Sequence, residues 1–504
     1  MTPRYILVID QGTSATKAVL VGEDGHIAAR FDTKHVQSYP QPGWVEHDPE
    51  EIAVRVSEAV RGVLQASGID PAGIAAVSVS NQRETAMIWD RATGRPVYPA
   101  IVWQCNRAEA ICRRMEAEGK ADMVRRKTGL VLSPYFSAAK LAWILENVPG
   151  ARERAERGEL AAGTMDAWLV WQLTGGAVHA TDWSNASRTQ LLNLETLAWD
   201  PELLDAFGLP ASLMPRLLDS DAVFGETTVG GLLPAPVPVT GVMGDSHAAL
   251  FGQLCFRRGM VKTTYGTGSS IMMHIGDKPL ASDGGLVTSI AWGRGGRVEY
   301  VLEGNLNCTG AVIKWLVDDL GLIASSREAG TIAASIADTD GVYLVPAFVG
   351  LGAPYWESRA RAAITGMTRG TGKAQVVRAA EECIAYQVKD IVDRMAHDAG
   401  ISIRELRVDG GPTRDAFLMQ FQADMLGLRV TAGHAEELSA RGAALMGGLT
   451  TGLWESPEAL EALDFPATVY EARMDGETRN RLYAGWQHAV QGVLAQVDAP
   501  EPAT

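Results

Sequence analysis

Residues 6–21 read ILVIDQGTSATKAVLV, two apolar runs joined by a short turn of small and hydroxyl-bearing residues. Apolar runs of this length predict two buried strands, and the short turn between them predicts a β-hairpin. Rossmann and P-loop nucleotide sites require a strand, a turn and then a helix. The hairpin therefore argues against a nicotinamide-dependent dehydrogenase.

The same pattern returns at residues 260–275, MVKTTYGTGSSIMMHI, about half a chain later in a protein of 504 residues. Single hydrophobic cores stop growing at roughly 250–300 residues, so a chain of this length predicts two domains. We place them at residues 1–254 and 255–504. Apolar periodicity predicts helices at 105–128 and 374–398, and LRVDGG at 406–411 predicts a further strand, so the fold class is α/β.

Charge and composition limit the classes of molecule that the protein can bind. Lysine and arginine number 45 against 60 acidic residues, and the formal net charge of −15 argues against nucleic acid. No apolar run reaches the ~18–20 residues of a membrane helix, so we expect no membrane insertion. The five cysteines are scattered without a CxxC pair, which predicts free thiols in a reducing compartment and a cytoplasmic location.

Both hairpin turns are candidate phosphate loops. Gly12, Thr13 and Ser14 in the first turn and Thr267 in the second combine close backbone approach with hydroxyl donors, and Lys17 adds a positive charge. Each turn alone is also compatible with an ordinary hairpin. The presence of two similar turns favours phosphate binding.

Two aspartates follow apolar strands. Asp10 and Asp245 would point carboxylates into a cleft between domains, where one could hold Mg²⁺ through water and the other could deprotonate a hydroxyl. The alternative is that each carboxylate caps the next element.

A third group of residues suits a polyhydroxy ligand. Arg83 and Glu84 lie in the polar run NQRET, and Trp103 and Tyr135 offer apolar ring faces. The alternatives are a surface ion pair for the charged residues and core packing for the two rings.

Together these residues resemble the FGGY family of carbohydrate kinases, and within it the glycerol kinases. The resemblance runs from Tyr5 to about Trp454 and is carried by ordered blocks: DQGTSATKAV (10–19), PGWVEHDPEEI (42–52), NQRET (81–85), IVWQ (101–104), PYFSAAKLAWIL (134–145), SNASRT (184–189), ALFGQLC (249–255), TYGTG (264–268), VYLVPAFVGLGAPYW (342–356) and RVDGG (407–411).

The resemblance implies two actin-like ATPase domains, each RNase H-like, flanking an inter-domain cleft for ATP and Mg²⁺. The implied reaction moves the γ-phosphoryl group of ATP to a primary hydroxyl of a small polyol or sugar. Asp245 would be the general base, and Asp10 and Asp245 would lie near Mg²⁺. The remaining roles fall on two sets of residues: Thr13, Ser14, Lys17, Thr267, Gly310 and Gly411 for the nucleotide, and Arg83, Glu84, Trp103 and Tyr135 for the acceptor.

Several positions depart from the glycerol kinase pattern. Ser246 and His247 replace two glutamines after the general base, Ser270 replaces a phenylalanine, and Cys105-Asn106-Arg107 replaces Asp-Arg-Arg. On the nucleotide side, Lys314 and Asp415 replace a glutamine and an asparagine, and Lys17 replaces an arginine.

Loss of side-chain bulk at positions 246 and 270 predicts an acceptor larger than glycerol: a tetritol, tetrulose, pentitol or pentulose. Emptying a phenylalanine-sized buried volume costs about 3–5 kcal/mol unless something refills it. The alternative is that His247 fills the space and the acceptor is glycerol. An actin-fold ATPase with a protein partner would need a peptide-binding domain or filament-forming insertions, and the sequence shows neither. A homo-oligomer is compatible with the sequence.

Overall fold

The computed structural model describes residues 4–497 and contains two large mixed β-sheets with helices packed on their faces. The strands are β1 (Tyr5–Gln11), β2 (Ala15–Gly22), β3 (Ile27–Lys34), β4 (Gln37–Ser38), β5 (Glu46–His47), β6 (Ile74–Asn81), β7 (Ala86–Asp90), β8 (Ala100–Ile101), β9 (Leu160–Thr164), β10 (Ala180–Asp182), β11 (Leu192–Asn193), β12 (Ala198–Trp199), β13 (Arg216–Leu218), β14 (Glu226–Thr227), β15 (Val237–Gly244), β16 (Val261–Tyr265), β17 (Ser269–Gly276), β18 (Val287–Arg294), β19 (Arg297–Leu306), β20 (Tyr343–Val345), β21 (Ala363–Thr365), β22 (Glu405–Gly410), β23 (Arg429–Gly433) and β24 (Ala467–Tyr470).

The helices are α1 (Pro49–Ser67), α2 (Glu109–Ala117), α3 (Ala121–Thr128), α4 (Ser137–Asn147), α5 (Ala151–Glu156), α6 (Met165–Leu173), α7 (Trp183–Ala186), α8 (Pro201–Phe207), α9 (Asp245–Gly252), α10 (Gly310–Asp318), α11 (Ser326–Ala334), α12 (Lys373–Ala399), α13 (Ala416–Leu426), α14 (Leu438–Thr450), α15 (Pro457–Glu461) and α16 (Gly476–Val497). Short 3₁₀ turns lie at Pro71–Gly73, Ala211–Leu213 and Gly411–Arg414. Among the helices of residues 4–497, none combines the length and apolar character needed to cross a membrane.

The two sheets repeat one topology, as the paired hairpins predict. The first has the order β14-β15-β6-β1-β2-β3, and the second has β24-β23-β22-β16-β17-β19 with β18 added at its edge. In both, the hairpin is antiparallel (β1 with β2, β16 with β17), and its first strand pairs in parallel with the next strand inward. The expected two-domain, duplicated α/β fold is confirmed.

The strand β1 reads as one apolar run because both of its faces are covered. Successive side chains of a strand point to opposite faces. Leu7 and Ile9 belong to a core that includes Ile52 of α1, whereas Ile6 and Val8 pack with alanines of α14. A strand buried on both faces cannot show the polar alternation of a half-exposed strand.

Two helices connect the halves of the molecule. Each follows the corresponding strand of its sheet: α9 begins directly after β15, and α14 follows β23. They cross at glycines, because a Cβ on Gly442 would lie 1.7 Å from the carbonyl oxygen of Ala248 and one on Gly252 would lie 2.4 Å from that of Leu438. The crossing packs helix α14, which belongs to the C-terminal half, against the sheet of the N-terminal half. We propose residues 254 and 255, just after α9, as the domain boundary.

The local sequence explains where the helices begin and end. Asp48 caps α1 by accepting a hydrogen bond from the backbone N–H of Glu50, and Gly68 ends the helix with φ 64°. The helix predicted at 374–398 is α12. The single helix predicted at 105–128 was wrong, because Gly119 adopts φ 73° and divides the segment into α2 and α3.

Candidate active site

Asp245 is the first residue of α9, at the point where β15 ends. Its side chain is 39% exposed, and the Nε of Arg83 lies 3.2 Å from its Oδ1. The backbone before it is fixed, since the N–H of Gly244 donates to the Oγ of Ser184, which is in turn held by the carboxylate of Asp182. A solvent-accessible carboxylate on an anchored backbone is suited to accept a proton from a bound hydroxyl.

Asp10 lies near the end of β1, opposite Lys17 of β2 in the hairpin register. The Nζ of Lys17 is 3.5 Å from its Oδ2. Burial raises the pKa of Asp10, Lys17 opposes that shift, and Asp245 contributes to it. This coupling places the two carboxylates in one part of the molecule. Because Mg²⁺ in kinase sites is held by one or two carboxylates, several waters and the substrate phosphates, the pair fits a magnesium ion.

Lys17 also contacts the C-terminal half. Its Nζ lies 2.6 Å from the Oε2 of Glu437, the residue before α14, and Glu437 accepts a second bond from Arg30. In this structure the anionic neighbours of the Lys17 ammonium are therefore carboxylates. A phosphate reaching Lys17 would compete with Asp10 and Glu437.

The two hairpin turns both carry exposed hydroxyl-bearing residues. In the first turn Ser14 is exposed, and the Oγ1 of Thr13 accepts a hydrogen bond of 3.0 Å from the indole Nε1 of Trp103. In the second turn Thr267 is exposed, and a Cβ on Gly310, at the start of α10, would lie 2.5 Å from the carbonyl oxygen of Gly266. Only glycine allows this approach of the helix to the turn.

The predicted acceptor aromatics lie next to each other. The rings of Trp103 and Tyr135 meet edge to face, with centroids 5.7 Å apart. Lys140, fully buried on α4, donates to the backbone carbonyl oxygens of Tyr135 and Phe136 and so holds that loop. Burial lowers the pKa of Lys140 to about 7.

Arg83 and Glu84 form no surface ion pair, because both are buried and each has a separate partner. Arg83 donates two hydrogen bonds to the carboxylate of Glu303, at 3.1 and 2.8 Å. Glu84, at a left-handed φ of 62°, accepts a bond of 2.6 Å from the Nε of Arg188. The alternative interpretation as an exposed ion pair was wrong.

Three of the positions that depart from the family pattern, Ser246, His247 and Ser270, differ in their surroundings. Ser246 is half-buried beside Asp245. His247 is fully buried, and its Nε2 lies 3.2 Å from the Oγ of Ser289 in the opposite half of the molecule. Ser270 directs its hydroxyl to Glu303, 3.4 Å away. Burial and then Arg83 lower the pKa of His247 well below its usual range, so it is held neutral.

On the nucleotide side, Lys314 is exposed and pairs with Asp318 at 3.8 Å. Asp415 caps α13, because its Oδ1 accepts hydrogen bonds from the backbone N–H groups of Phe417 and Leu418. Gly411 opens the 3₁₀ turn between β22 and that cap. The carboxylate of Asp415 is thus already engaged by its own backbone.

A cluster of hydrogen-bonded polar side chains lies beneath the second hairpin and holds its first strand. Asp409 at the end of β22 accepts hydrogen bonds of 2.9 Å from Gln253 and from Thr264, whose hydroxyl also accepts from the Nζ of Lys262. Burial lowers the pKa of Lys262, and Asp409 opposes that shift. This cluster fixes the strand that leads into the turn at Gly266.

The sequence interpretation missed Glu303, Arg188 and Glu437. A signal existed for the first two: Glu303 is a charged residue among apolar ones in β19 (RVEYVLEGNL), and Arg188 lies in the quoted block SNASRT. Glu437 has no such signal, since its importance comes from the packing of α14 against the other half.

Comparison with known proteins agrees with this geometry. Residues 5–252 match the N-terminal domain and residues 261–451 the C-terminal domain of the FGGY family of carbohydrate kinases. The chain is 50% identical over 490 residues to the glycerol kinase of Carboxydothermus hydrogenoformans, covering 97% of this chain and 98% of that one. It is also 50% identical over 492 residues to glycerol kinase 1 of Thermotoga maritima, covering 98% and 100% of the two chains.

Solved structures extend the similarity to the fold. The crystal structure of Plasmodium falciparum glycerol kinase with ADP superposes with a TM-score of 0.92 at 34% identity, covering 98% of both chains. A ligand-bound xylulose kinase from Lactobacillus acidophilus gives 0.88 at 22% identity, covering 98% of this chain and 99% of that one, and shares the fold. The protein therefore belongs to the FGGY family of carbohydrate kinases and is a phosphotransferase with an alcohol acceptor.

Proposed function

We propose that the protein transfers the γ-phosphoryl group of ATP to a primary hydroxyl of glycerol and forms glycerol 3-phosphate. The observation that carries the proposal is Asp245, an accessible carboxylate held by Arg83 and close enough to Asp10 of β1 to affect its pKa. The glycerol kinases that are 50% identical over nearly the whole chain support glycerol as the acceptor.

In this mechanism Asp245 accepts the proton of the attacking hydroxyl. Arg83 and Glu84 hydrogen-bond the acceptor hydroxyls, and the rings of Trp103 and Tyr135 contact its C–H face. Phosphoryl transfer needs little covalent chemistry from the protein, so positioning and charge stabilisation carry most of the rate.

The nucleotide is proposed to lie between the two hairpin turns. Thr13, Ser14 and Lys17 contact phosphates from one side, and Thr267, Gly310 and Gly411 line the nucleotide site from the other. Asp10 and Asp245 would hold Mg²⁺ through water, and the ion, when bound, neutralises charge on the phosphates. Closing the cleft excludes water, so the acceptor hydroxyl reacts in preference to hydrolysis.

Two of the residues predicted for the nucleotide lie at the edge of the proposed site. Lys314 is exposed on α10, and Asp415 already caps α13, so we assign both only to the rim of the nucleotide site. Their replacement of a glutamine and an asparagine leaves the backbone at Gly310 and Gly411 as the principal contact with the nucleoside.

A second acceptor class has its own support. Ser246 and Ser270 are small residues where glycerol kinases carry larger ones, which favours a four- or five-carbon polyol or ketose. Two contacts reduce that support: Ser270 is already directed to Glu303, and His247 fills buried volume behind Asp245. We therefore place glycerol first.

An acceptor panel separates the two classes. The kcat/KM is measured with Mg·ATP and glycerol, erythritol, threitol, erythrulose, xylulose or ribitol. We expect glycerol to exceed every other acceptor by at least about tenfold, because a pocket of fixed size discriminates by 1–3 kcal/mol per extra carbon. A higher kcat/KM for any four- or five-carbon acceptor would replace glycerol by that class.

The location and assembly of the enzyme are also proposals. All five cysteines lie within the described residues and are unpaired and buried, which supports a reducing, cytoplasmic compartment. A homo-oligomer stays a prediction that sedimentation can test.

A further inference from the structure

Five side chains of alternating charge run through the floor of the candidate site: Asp245, Arg83, Glu303, Arg188 and Glu84. We propose that Glu303 is a positioning residue that aligns Asp245 and Glu84 from the opposite half of the molecule. The proposal rests on the proposed kinase function and adds a residue that acts through its two arginine neighbours.

At one end of this chain, Arg83 connects Glu303 to the proposed base. Its two Nη atoms donate to the Oε2 and Oε1 of Glu303 at 3.1 and 2.8 Å, while its Nε faces Asp245 Oδ1 at 3.2 Å. A guanidinium is planar, so fixing its fork on one carboxylate also fixes the direction of its Nε. Glu303 therefore determines where Arg83 meets Asp245.

At the other end, Arg188 connects Glu303 to Glu84. The Nη1 of Arg188 lies 2.6 Å from Glu303 Oε2, and its Nε donates to Glu84 Oε1 at 2.6 Å. The guanidinium also lies over the ring of Phe136, 5.1 Å from its centroid. The same carboxylate thus orients both acidic residues proposed to meet the acceptor.

Because Arg83 and Arg188 are buried, the carboxylate of Glu303 is needed to balance their charge. The side chains of Glu303 and Arg188 are fully buried, and that of Arg83 is 6% exposed. Burial would raise the pKa of Glu303, but Arg188 and Arg83 together hold it well below its usual range. Without this anion, two neighbouring buried guanidinium groups would lose their shared counter-charge.

The members of the chain come from different halves of the molecule. Arg83 follows β6 and Arg188 follows α7, both in the N-terminal half, whereas Glu303 lies on β19 of the second sheet. The alignment of Asp245 therefore depends on a residue that the other half of the molecule contributes.

The test uses the full-length protein and two substitutions. Glu303→Gln removes the charge with little change of shape, and Glu303→Asp keeps the charge but shortens its reach. We expect the kcat of Glu303→Gln to fall about 100-fold, since misalignment of about 1 Å has that effect. Glu303→Asp should recover part of the loss. The KM for Mg·ATP should stay within about threefold in both variants, because Glu303 and its two arginine partners lie outside the phosphate turns.

The control is Glu299→Gln, a substitution on the same strand at a residue paired with His274 outside the charge chain. It should keep wild-type kcat. Wild-type kcat in a folded Glu303→Gln protein would overturn the proposal, and so would failure of both variants to fold, which would assign Glu303 a purely structural role. Absence of kinase activity in the wild type would instead contradict the proposed function.

Discussion

At the scale of single residues, Asp245 combines exposure with fixed geometry. Its side chain is 39% exposed, whereas its neighbour Arg83 is almost fully buried. Removing the Asp245 charge should therefore disturb chemistry more than folding.

Asp245→Asn should lower kcat by at least about 100-fold, the usual scale of general-base catalysis, and leave the affinity for Mg·ATP within a few-fold. Steady-state kinetics and a nucleotide-binding titration measure the two effects. Asp393→Asn, at an exposed residue of α12, is the control. Near-normal turnover in Asp245→Asn would show that this carboxylate is not the base.

His247 makes folding sensitive to acid. Its pKa is lowered in the folded protein, so below about pH 6.5 the unfolded chain binds a proton that the native state does not. Stability conferred by the neutral ring is therefore present above about pH 6.5 and is lost as the pH falls.

His247→Gln should lessen this loss. Between about pH 7 and pH 5.5, the free energy of unfolding of the wild type should fall by about 1.2 kcal/mol more than that of the variant. Urea titrations at the two pH values measure the difference, with His434→Gln at an exposed histidine as the control. Equal losses in wild type and His247→Gln would contradict the assignment.

Residue-level prediction from sequence identified candidate side chains that lie in local motifs. Arg83 and Glu84 belong to a buried ion-pair network, and the rings of Trp103 and Tyr135 lie next to each other. Their role in binding an acceptor stays a prediction. Residue-level prediction failed where the partner is distant in sequence: the direction of His247 toward Ser289 depends on β18, which lies about 40 residues further on in sequence.

At the scale of elements, the two hairpins were predictable because both are local patterns of apolar runs and small-residue turns. The packing of α14 against the first sheet was not, since its alanines and glycines carry little signal of which surface they meet. That packing decides how the two halves are joined.

Gly442→Ala should destabilise the protein by about 1–3 kcal/mol, because the new Cβ would lie 1.7 Å from the carbonyl oxygen of Ala248 and force α9 and α14 apart. Differential scanning calorimetry gives the change in Tm. The matched control is Gly492→Ala on α16, where nothing lies within 4 Å and alanine should stabilise the helix. A Tm for Gly442→Ala at or above that of the wild type would contradict close helix crossing.

At the scale of the whole molecule, the net charge is −15, and in our proposal local groups bind the anionic ATP. Lys17 is one of the groups proposed for this role; it lies in the first hairpin and pairs with Glu437 of the other half. The duplicated sheets each contribute one hairpin turn to the proposed site.

Lys17→Met should raise the KM for Mg·ATP by at least about tenfold, since it removes a cation and leaves Asp10 and Glu437 to repel phosphate. The KM for the acceptor should change much less. Initial rates with each substrate varied in turn distinguish the two constants, and Lys34→Met at the end of β3 is the control. An unchanged KM for Mg·ATP would remove Lys17 from the phosphate site.

Transfer of the γ-phosphoryl group to a primary hydroxyl can be followed with a label on that group. The enzyme is incubated with Mg²⁺, ATP labelled in the γ-phosphoryl group, and glycerol, and the products are separated. The label should appear in glycerol 3-phosphate in a one-to-one ratio with ADP, and Asp245→Asn should form it at least about 100-fold more slowly. Label released only as inorganic phosphate, with no phosphorylated product from glycerol or any acceptor of the panel, would exclude phosphoryl transfer to an alcohol.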